Sequence, residues 1–251
     1  MKTYRWQNSF QYFLIALQLL TILPVKLKEK PRALDEVNST VFFPLVGFII
    51  GILLFVMYLI LRNYFSFWVT SAFILTGWIY LTGALHIDGL ADTIDGLSGG
   101  KDKKEILAIM KDVRTGAKGT AAIVVLVLLK FSLLTQVVTS STPQILMYIP
   151  LLSRWGILIG CFSVPYAREE GMGKSFSFPG YPQIIIATLI VILSGIFLLG
   201  AFFLAPLIGV AGFSLLFSLY LKRKIGGFTG DTLGALNEMG EVIALLISCF
   251  A

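Results

Sequence analysis

Residues 83–96 read GALHIDGLADTIDG and combine three carboxylates with the only histidine of the chain. Asp88, Asp92 and Asp95 stand at positions i, i+4 and i+7, so a helix over this segment would place them on one face. Three like charges on one face repel each other, and a divalent cation is the simplest compensation. Mg²⁺ binds carboxylate oxygens and usually retains water and substrate phosphate as further ligands. The segment therefore predicts a helix that binds Mg²⁺ through these three carboxylates.

The acidic segment directly follows a membrane-length apolar run, and the whole chain has the composition of a polytopic membrane protein. Of its 251 residues 57% are hydrophobic and 14% are charged, and the mean hydropathy is +0.86. A bilayer span needs roughly 20 apolar residues. Such stretches lie near 9–24, 41–61, 67–86, 119–138, 145–163, 183–203 and 204–221. We expect an all-α, polytopic integral membrane helix bundle of about six to eight spans, with residues 1–251 forming one transmembrane catalytic domain.

Three parts of this span assignment need separate comment. The first stretch is short, so it either crosses the bilayer or lies along its surface. Pro206 is expected to divide the sixth stretch from the seventh. The final apolar piece, 242–251, is too short to span comfortably and is interpreted as re-entrant or packed against the bundle.

The charged residues are segregated in the sequence. The loops expected at 25–40, 87–118, 164–182 and 222–241 hold most of the Lys and Arg residues and all 14 Asp and Glu residues. If the spans alternate, these loops share one side, and the positive-inside rule places that side in the cytoplasm. The net charge of +6 therefore indicates orientation in the cell membrane rather than binding to nucleic acid.

A group of cations follows the acidic segment. Lys111, Arg114 and Lys118 stand at i, i+3 and i+7, which would place them on one face of a helix. A basic face opposite a metal-binding one suits pyrophosphate recognition, so we predict that Lys111 and Arg114 bind substrate. The alternative is an ordinary solvated loop. His86 has three alternative roles: metal ligand, general base, or a buried histidine satisfied by hydrogen bonds.

A second constellation, GGFTGDTLGALNEMGE, occupies residues 226–241. Asp231, Glu238 and Glu241 have a spacing that one helix could present together, and a second metal or a substrate-hydroxyl site is plausible there. Thr229 or Asp231 could instead cap a helix that begins around residue 232.

Two arginines complete the set of candidate site residues. Arg154 lies inside an apolar span, where a charge is normally functional or paired. Arg168 lies in a glycine-containing segment, 165–176, which we interpret as a flexible lid, an anion-binding loop, or simply a mobile surface loop.

Several motifs together resemble one family. LTGALHIDGLADTIDGL at 81–97, followed by KDVRTGAKG at 111–119, closely resembles the cobalamin synthase family, the adenosylcobinamide-GDP ribazoletransferases. TILPV at 21–25, FPLVG at 43–47, PYAR at 165–168 and GGFTGDTLGA at 226–235 extend the likeness over the whole chain. The CDP-alcohol phosphotransferases also have a motif of several aspartates. In their motif Asp-Gly is followed by two residues and then Ala-Arg, whereas here Asp88-Gly-Leu-Ala is followed by Asp92.

The resemblance implies a membrane transferase for the last step of cobalamin nucleotide-loop assembly. It would join α-ribazole, or its 5′-phosphate, to adenosylcobinamide-GDP and release GMP in a Mg²⁺-dependent reaction. The implied partners are these two substrates and the lipid bilayer, with a homo-oligomer possible.

On this hypothesis each candidate residue receives a role. Asp88, Asp92, Asp95 and Asp231 would hold Mg²⁺. Glu238, Glu241 and Arg154 would lie near the substrate. Arg114, Lys111 and Arg168 would neutralise the leaving group, while His86 or a metal-free carboxylate would act as the base.

Rival classes make different demands on the sequence. A transporter needs acidic residues inside its spans, and an intramembrane aspartyl hydrolase needs two Asp deep in separate helices. We expect every Asp and Glu to lie in a loop or at the end of a span, all on one side of the membrane, which favours an enzyme over both rivals. A purely structural subunit would not explain the acidic segment.

Overall fold

The computed structural model describes residues 8–27 and 30–250, so Lys28 and Glu29 of the first charged loop lie outside the described residues. Regular structure within these ranges is helical, apart from one isolated β-bridge between Tyr166 and Phe228. The α-helices are α1 (Ser9–Leu20), α2 (Ala33–Ser39), α3 (Phe43–Leu61), α4 (Phe67–Leu81), α5 (Leu85–Gly99), α6 (Lys103–Ile109), α7 (Ala117–Thr139), α8 (Ile145–Ser163), α9 (Tyr181–Leu199), α10 (Leu204–Ile225) and α11 (Gly230–Ser248).

Helix α8 forms the centre of the bundle. It is buried over most of its length and packs against α3, α9, α10 and α11. A helix that is apolar all round has no face suited to water, and burial by neighbouring helices satisfies it. The all-α membrane bundle predicted from the sequence is confirmed.

The number of membrane-length stretches is smaller than predicted. Four helical stretches are long and apolar enough to cross a membrane, namely 33–61, 117–139, 145–163 and 181–225. The bent pair α4 and α5 would make a fifth if it forms one span. These four or five stretches are fewer than the six to eight spans predicted. One reason is that α1 has only 12 residues. The other is that 181–225 counts once, although its 45 residues are long enough to cross a bilayer twice and are divided by a 3₁₀ turn.

The break between α9 and α10 lies at a 3₁₀ turn, Gly200–Phe203, and not at Pro206. Pro206 sits in the first turn of α10, where a missing backbone N–H removes no helical hydrogen bond. The predicted loop 222–241 is also wrong, since α10 extends to Ile225 and α11 begins at Gly230. Residues 242–248 continue α11 and are not a separate re-entrant piece.

A sharp turn separates α4 from α5. Gly83 and Ala84 have left-handed φ values of 59° and 56°, and the two helices meet at 84°. Glycine adopts this conformation without a steric penalty, whereas alanine does so at a cost of roughly 1–2 kcal/mol. The turn directs α5 away from the axis of α4, and α5 packs against α7 and α11.

Candidate functional site

The acidic residues gather where α5 packs against the beginning of α11. Asp88, Asp92 and Asp95 all lie on α5, which confirms the predicted helix, and Asp231 lies in the first turn of α11. The two backbones approach closely at Gly89, where a Cβ would stand 2.7 Å from the carbonyl oxygen of Asp231. The absence of a side chain at Gly89 therefore brings the fourth carboxylate to the α5 face.

This close approach predicts the effect of adding one methyl group. Gly89→Ala should lower stability by about 1–3 kcal/mol through overpacking, although alanine favours a helix more than glycine does. Gly212→Ala on α10 is the matched control, because its Cβ would meet nothing within 4 Å. Thermal unfolding midpoints in detergent should fall for Gly89→Ala and stay level or rise for Gly212→Ala. Equal midpoints would contradict the close packing of α5 on α11.

Asp92 lies in the middle of the acidic group. Partial burial and then the charges of Asp88 and Asp231 raise the pKa of Asp92 to about 6. The carboxylates of Asp88 and Asp92 accept no hydrogen bond from the described residues. Their oxygens are therefore available to a cation or another ligand.

Asp95 has a different environment. Its two carboxylate oxygens accept hydrogen bonds from the backbone N–H groups of Gly116 and Gly119, at 2.7 and 2.8 Å. These N–H groups lie at the beginning of α7, where helical backbone donors lack partners within their own helix. Asp95 thus caps α7 from a neighbouring helix, and its prediction as a metal ligand stays a prediction.

Asp231 is held by two neighbours. Arg168 Nη2 donates to its Oδ2 at 2.7 Å, and Thr229 Oγ1 donates to the same oxygen at 3.3 Å. Thr229 is the N-cap of α11, as one of the two predicted capping alternatives proposed. Arg168 is largely buried, so this ion pair fixes the position of both side chains.

The segment 165–176 is tied to the beginning of α11. Backbone hydrogen bonds of 2.8 and 2.9 Å join Ala167 and Pro165 to Phe228, and a 3₁₀ turn, Met172–Phe176, follows. This pairing does not support the interpretation of a mobile surface loop. The segment carries Arg168 to Asp231 across 63 residues of sequence, a contact that the sequence analysis did not predict.

His86 lies in the first turn of α5 and is only 4% exposed. Its Nδ1 has no hydrogen-bond partner among the described residues, so the alternative of a fully satisfied core histidine is not supported. Together with Asp88 and Asp231 it lines a cavity between α1, α3, α5, α8 and α11.

The predicted basic helix face is wrong. Helix α6 ends at Ile109, so Lys111 and Arg114 lie in a turn and Lys118 lies in the first turn of α7. Arg114 is highly exposed and forms an ion pair of 2.7 Å with Asp112, which lowers the pKa of that carboxyl to about 2 through hydrogen bonding. Arg114 nevertheless borders a shallow depression that Asp95 also lines.

Glu238 and Glu241 do not lie at the acidic face. They point into the bundle from α11, where Lys130 of α7 forms ion pairs with both and Arg154 of α8 pairs with Glu241. All four side chains are almost completely buried. We call these four residues the buried charge cluster. Arg154 is therefore paired, as one of its two predicted alternatives expects. Glu238 and Glu241, which the sequence places in a loop at 222–241, lie inside the bundle on α11, although α11 is not one of the four membrane-length stretches.

Neutral neighbours complete the buried charge cluster. Asn237 Nδ2 donates to Glu241 Oε1 at 3.0 Å, and the ammonium of Lys130 lies 4.9 Å from the ring centre of Trp78. The sequence contained a signal for this cluster. Two cations in apolar stretches need anions, and Glu238 and Glu241 have the i, i+3 spacing that presents them on one helix face.

Metal binding at the acidic face depends on how many protein ligands an ion needs. Across residues 8–27 and 30–250, no three His, Cys, Asp or Glu side chains are placed so that they could hold one ion together. Mg²⁺ is usually held by one or two carboxylates together with water and substrate phosphate. The free oxygens of Asp88 and Asp92 fit this kind of site, and they do not fit a cage closed by protein ligands alone.

Comparison with known proteins finds relatives over almost the whole chain. The family model described as cobalamin-5-phosphate synthase matches residues 12–249. A Thermoanaerobacter sp. (strain X514) protein named adenosylcobinamide-GDP ribazoletransferase is 36% identical over 246 residues, which cover 97% of this chain and 98% of the relative. A relative of the same name from Clostridium botulinum (strain Langeland / NCTC 10281 / Type F) is 38% identical, with 94% and 96% covered.

Another relative of that name, from Acinetobacter baumannii (strain ATCC 17978), is 39% identical, and the alignment covers 93% of this chain and 94% of the relative. No solved structure matches the chain significantly. The family match spans nearly all of the described bundle, including both the acidic face and the buried charge cluster. The chain therefore belongs to the cobalamin-5-phosphate synthase family.

Proposed function

We propose that this protein is an adenosylcobinamide-GDP ribazoletransferase that uses the acidic face as its active site. A hydroxyl oxygen of ribazole bonds to the phosphorus that carries the cobinamide, the P–O bond to the GMP portion breaks, and GMP leaves. The observation that carries the proposal is that Asp88 and Asp231 line one cavity, with Asp92 close enough for their charges to raise its pKa, in a chain of this family. Acceptors carrying a 5′-phosphate belong to the same proposal.

Mg²⁺ is the proposed cofactor. Asp88 and Asp92 would hold it, since their oxygens accept no hydrogen bond from described residues, and water and substrate phosphate would supply its other ligands. Asp231, which the sequence also predicts as a ligand, would stay paired with Arg168 beside this site. Bound there, Mg²⁺ would neutralise pyrophosphate charge and stabilise the charge that develops on the leaving group. Asp95 supports this arrangement by fixing the beginning of α7 against α5.

The protein's own cations are available for the phosphate oxygens. Arg168 lies beside Asp231 with a side chain that is 11% exposed. Its guanidinium is the cation proposed to interact with phosphate oxygens next to Asp231. Lys111 and Arg114 are exposed, Arg114 borders the depression that Asp95 also lines, and both stay candidates for binding the GMP portion.

The ribazole hydroxyl must lose its proton as it attacks phosphorus. His86 and Asp88 both line the cavity, so each lies where such a hydroxyl could be bound. His86 Nδ1 has no hydrogen-bond partner among the described residues, whereas Asp88 would be occupied by Mg²⁺. His86 and a carboxylate that binds no metal are therefore the proposed alternatives for the general base.

The acidic face is proposed to lie on the cytoplasmic side of the cell membrane. The lysines of α6 lie near the end of α10, since a Cβ at Gly226 would stand 2.9 Å from Lys103 Nζ. The basic residues at 101–104 and 222–224 therefore border one end of the bundle, as the positive-inside rule expects of a cytoplasmic end.

The buried charge cluster makes ion transport the alternative function to consider, because the cluster places two carboxylates within the bundle. Each of them is already paired with a cation, and the charges of Lys130, Arg154, Glu238 and Glu241 sum to zero. A cluster that is neutral and fully paired offers no free carboxylate to a translocated ion.

The activity is tested with the full-length protein in nanodiscs, supplied with adenosylcobinamide-GDP and α-ribazole. We expect GMP and the corrinoid product to appear in equal amounts, to disappear with EDTA, and to return when Mg²⁺ is added. Chromatography of both products measures the reaction. Folded protein that yields no product under any of these conditions would refute the proposal, and ion flux in liposomes would then test the transport alternative.

A further inference from the structure

A depression distinct from the cavity of the acidic face is lined by two cations. Arg168 and Lys174 both line it, and it offers about 320 Å³ of space. Tyr166, Ser175 and Ser177, whose side chains carry hydroxyl groups, line the same depression. None of the described residues that line it is acidic. We call it the basic depression, and its composition suits an anion with several oxygens, such as a phosphate group.

Lys174 is the uncompensated cation of the basic depression. Its Nζ donates to the backbone carbonyl of Glu169, and it forms no ion pair with a carboxylate of the described residues. Arg168 is paired with Asp231, so it lies between the depression and the acidic face. Glu169 and Glu170 are exposed, but neither lines the depression. The depression therefore has an excess of positive charge.

The basic depression lies at the ends of three membrane-length stretches. Ala33, one of its lining residues, begins the stretch formed by α2 and α3. Two further lining residues, Pro165 and Phe178, lie two positions after α8 and three positions before α9. A stretch that crosses a hydrocarbon core of about 30 Å has its ends near the lipid headgroups. The depression therefore lies at the depth of the headgroups.

Exposed aromatic side chains border the beginning of α9. Phe178 is 58% exposed and has a left-handed φ of 58°, a conformation that costs a residue other than glycine roughly 1–2 kcal/mol. Tyr181, the first residue of α9, is 73% exposed, and its ring centre lies 5.5 Å from that of Phe162. Aromatic residues at the ends of spans are typical of the boundary between lipid and water. These rings form an apolar rim beside the cations.

An exposed apolar stripe continues from this rim along α9. Ile185, Leu189, Leu193 and Ile196 are each more than half exposed, and their spacing of i, i+4, i+8 and i+11 places them on one helix face. From the first to the last of them the helix rises about 17 Å. This is close to half of a hydrocarbon core of about 30 Å, which is the thickness of one leaflet. The stripe is therefore long enough for an acyl chain.

We propose that the basic depression binds the phosphate group of an anionic phospholipid from the leaflet on the side of the acidic face. Lys174 and Arg168 interact with the phosphate, and an acyl chain lies along the stripe of α9. A soluble phosphate would interact with the cations alone, whereas a phospholipid also covers the stripe. An anionic headgroup offsets the charge of Lys174, which a lipid without net charge does not. This lipid site lies beyond the proposed transferase function and does not depend on it.

Lipid binding is tested with the full-length protein in a neutral detergent, freed of endogenous lipid and then titrated with dioleoyl phosphatidylglycerol. Native mass spectrometry measures the Kd of the first bound lipid. We expect this Kd to be at least about fivefold lower than the Kd for dioleoyl phosphatidylcholine, whose headgroup has no net charge. Inorganic phosphate and glycerophosphoglycerol, which is the headgroup without acyl chains, should not displace the lipid at equal concentration.

Two substitutions at the depression are compared with matched controls. Lys174→Gln should raise the Kd for phosphatidylglycerol about fivefold, the effect of one cation near an anionic membrane, and should leave the Kd for phosphatidylcholine unchanged. Lys104→Gln removes an exposed cation of α6 that does not line the depression, so its effect should be less than about twofold. Ala33→Trp adds bulk at an exposed lining position and should raise the Kd about tenfold, whereas Ala205→Trp, at an exposed position in the first turn of α10, should not.

The other outcomes overturn the lipid site. If Lys174→Gln and Ala33→Trp bind phosphatidylglycerol as tightly as wild type does, the lipid does not lie in the basic depression. Displacement of the lipid by inorganic phosphate would identify a soluble-phosphate site instead. A dimer that is lost in both variants while lipid binding is unchanged would identify the depression as a contact between two copies of the chain. The titration contains no transferase substrate, so a failure of the proposed function leaves its result unaffected.

Discussion

Replacing Asp92 with asparagine is expected to reduce turnover by about three orders of magnitude. Asp92 lies between Asp88 and Asp95 on α5, and its oxygens accept no hydrogen bond from the described residues. Loss of a metal-bound carboxylate removes several kcal/mol of charge stabilisation in the transition state, and each 1.4 kcal/mol corresponds to about tenfold in rate. GMP release at saturating substrates measures the effect.

The thermal stability of Asp92→Asn should not fall together with its turnover. The pKa of Asp92 is raised partly by neighbouring carboxylates, so neutralising this residue relieves repulsion in the ion-free protein. The thermal midpoint of Asp92→Asn in EDTA should equal or exceed that of wild type, which separates lost chemistry from lost folding.

Asp102→Asn is the matched control for the same chemical change. Asp102 is exposed and caps α6 by accepting a hydrogen bond from Glu105 N at 2.9 Å. Asparagine caps a helix as well as aspartate does, so turnover should stay within about twofold of wild type. If Asp92→Asn is as active as Asp102→Asn, the acidic face is not the metal-binding site.

Replacing Glu241 with alanine is expected to cost about 3–5 kcal/mol of stability. Glu241 is completely buried and pairs with both Lys130 and Arg154. Removing it leaves two buried cations to share Glu238, and an uncompensated buried charge is strongly destabilising. The thermal midpoint in detergent and the yield of monodisperse protein measure the loss.

Two comparisons identify the cause of this loss. Glu170→Ala removes an exposed carboxylate and should change stability by less than about 0.5 kcal/mol. The double variant Glu241→Leu with Arg154→Leu should be less destabilised than the sum of its single changes, because it removes one anion and one cation together. Strict additivity in this cycle would contradict a direct ion pair between the two residues.

The sequence predicted the acidic face because the relevant contacts are local. The i, i+4, i+7 spacing within α5 and the cap of α11 depend on residues a few positions apart. The apolar stretches likewise predicted a membrane bundle, since composition alone decides that class. The composition and spacing rules were sufficient for these features.

The remaining features depend on contacts between distant residues. Lys130 meets Glu238 across 108 positions and Arg168 meets Asp231 across 63, and neither pairing has a local signature. From the sequence, the charged residues at 222–241 favour a loop, but charges that pair with one another can also be buried inside a bundle. The predicted basic face is wrong because the i, i+3, i+7 spacing presupposes a helix over residues 111–118, where the chain turns between α6 and α7.

The buried charge cluster has a consequence for how the protein responds to its lipids. Helix α7 carries Lys130 and begins at the N–H groups that Asp95 holds, while α11 carries Glu238 and begins beside Asp231. Hydrophobic mismatch exerts only fractions of a kcal/mol per Å, whereas breaking a buried ion pair costs about 3–5 kcal/mol. Thicker or thinner bilayers would therefore tilt the bundle as a unit before they slid α11 along α7, and the spacing of the acidic residues would be insulated from membrane thickness.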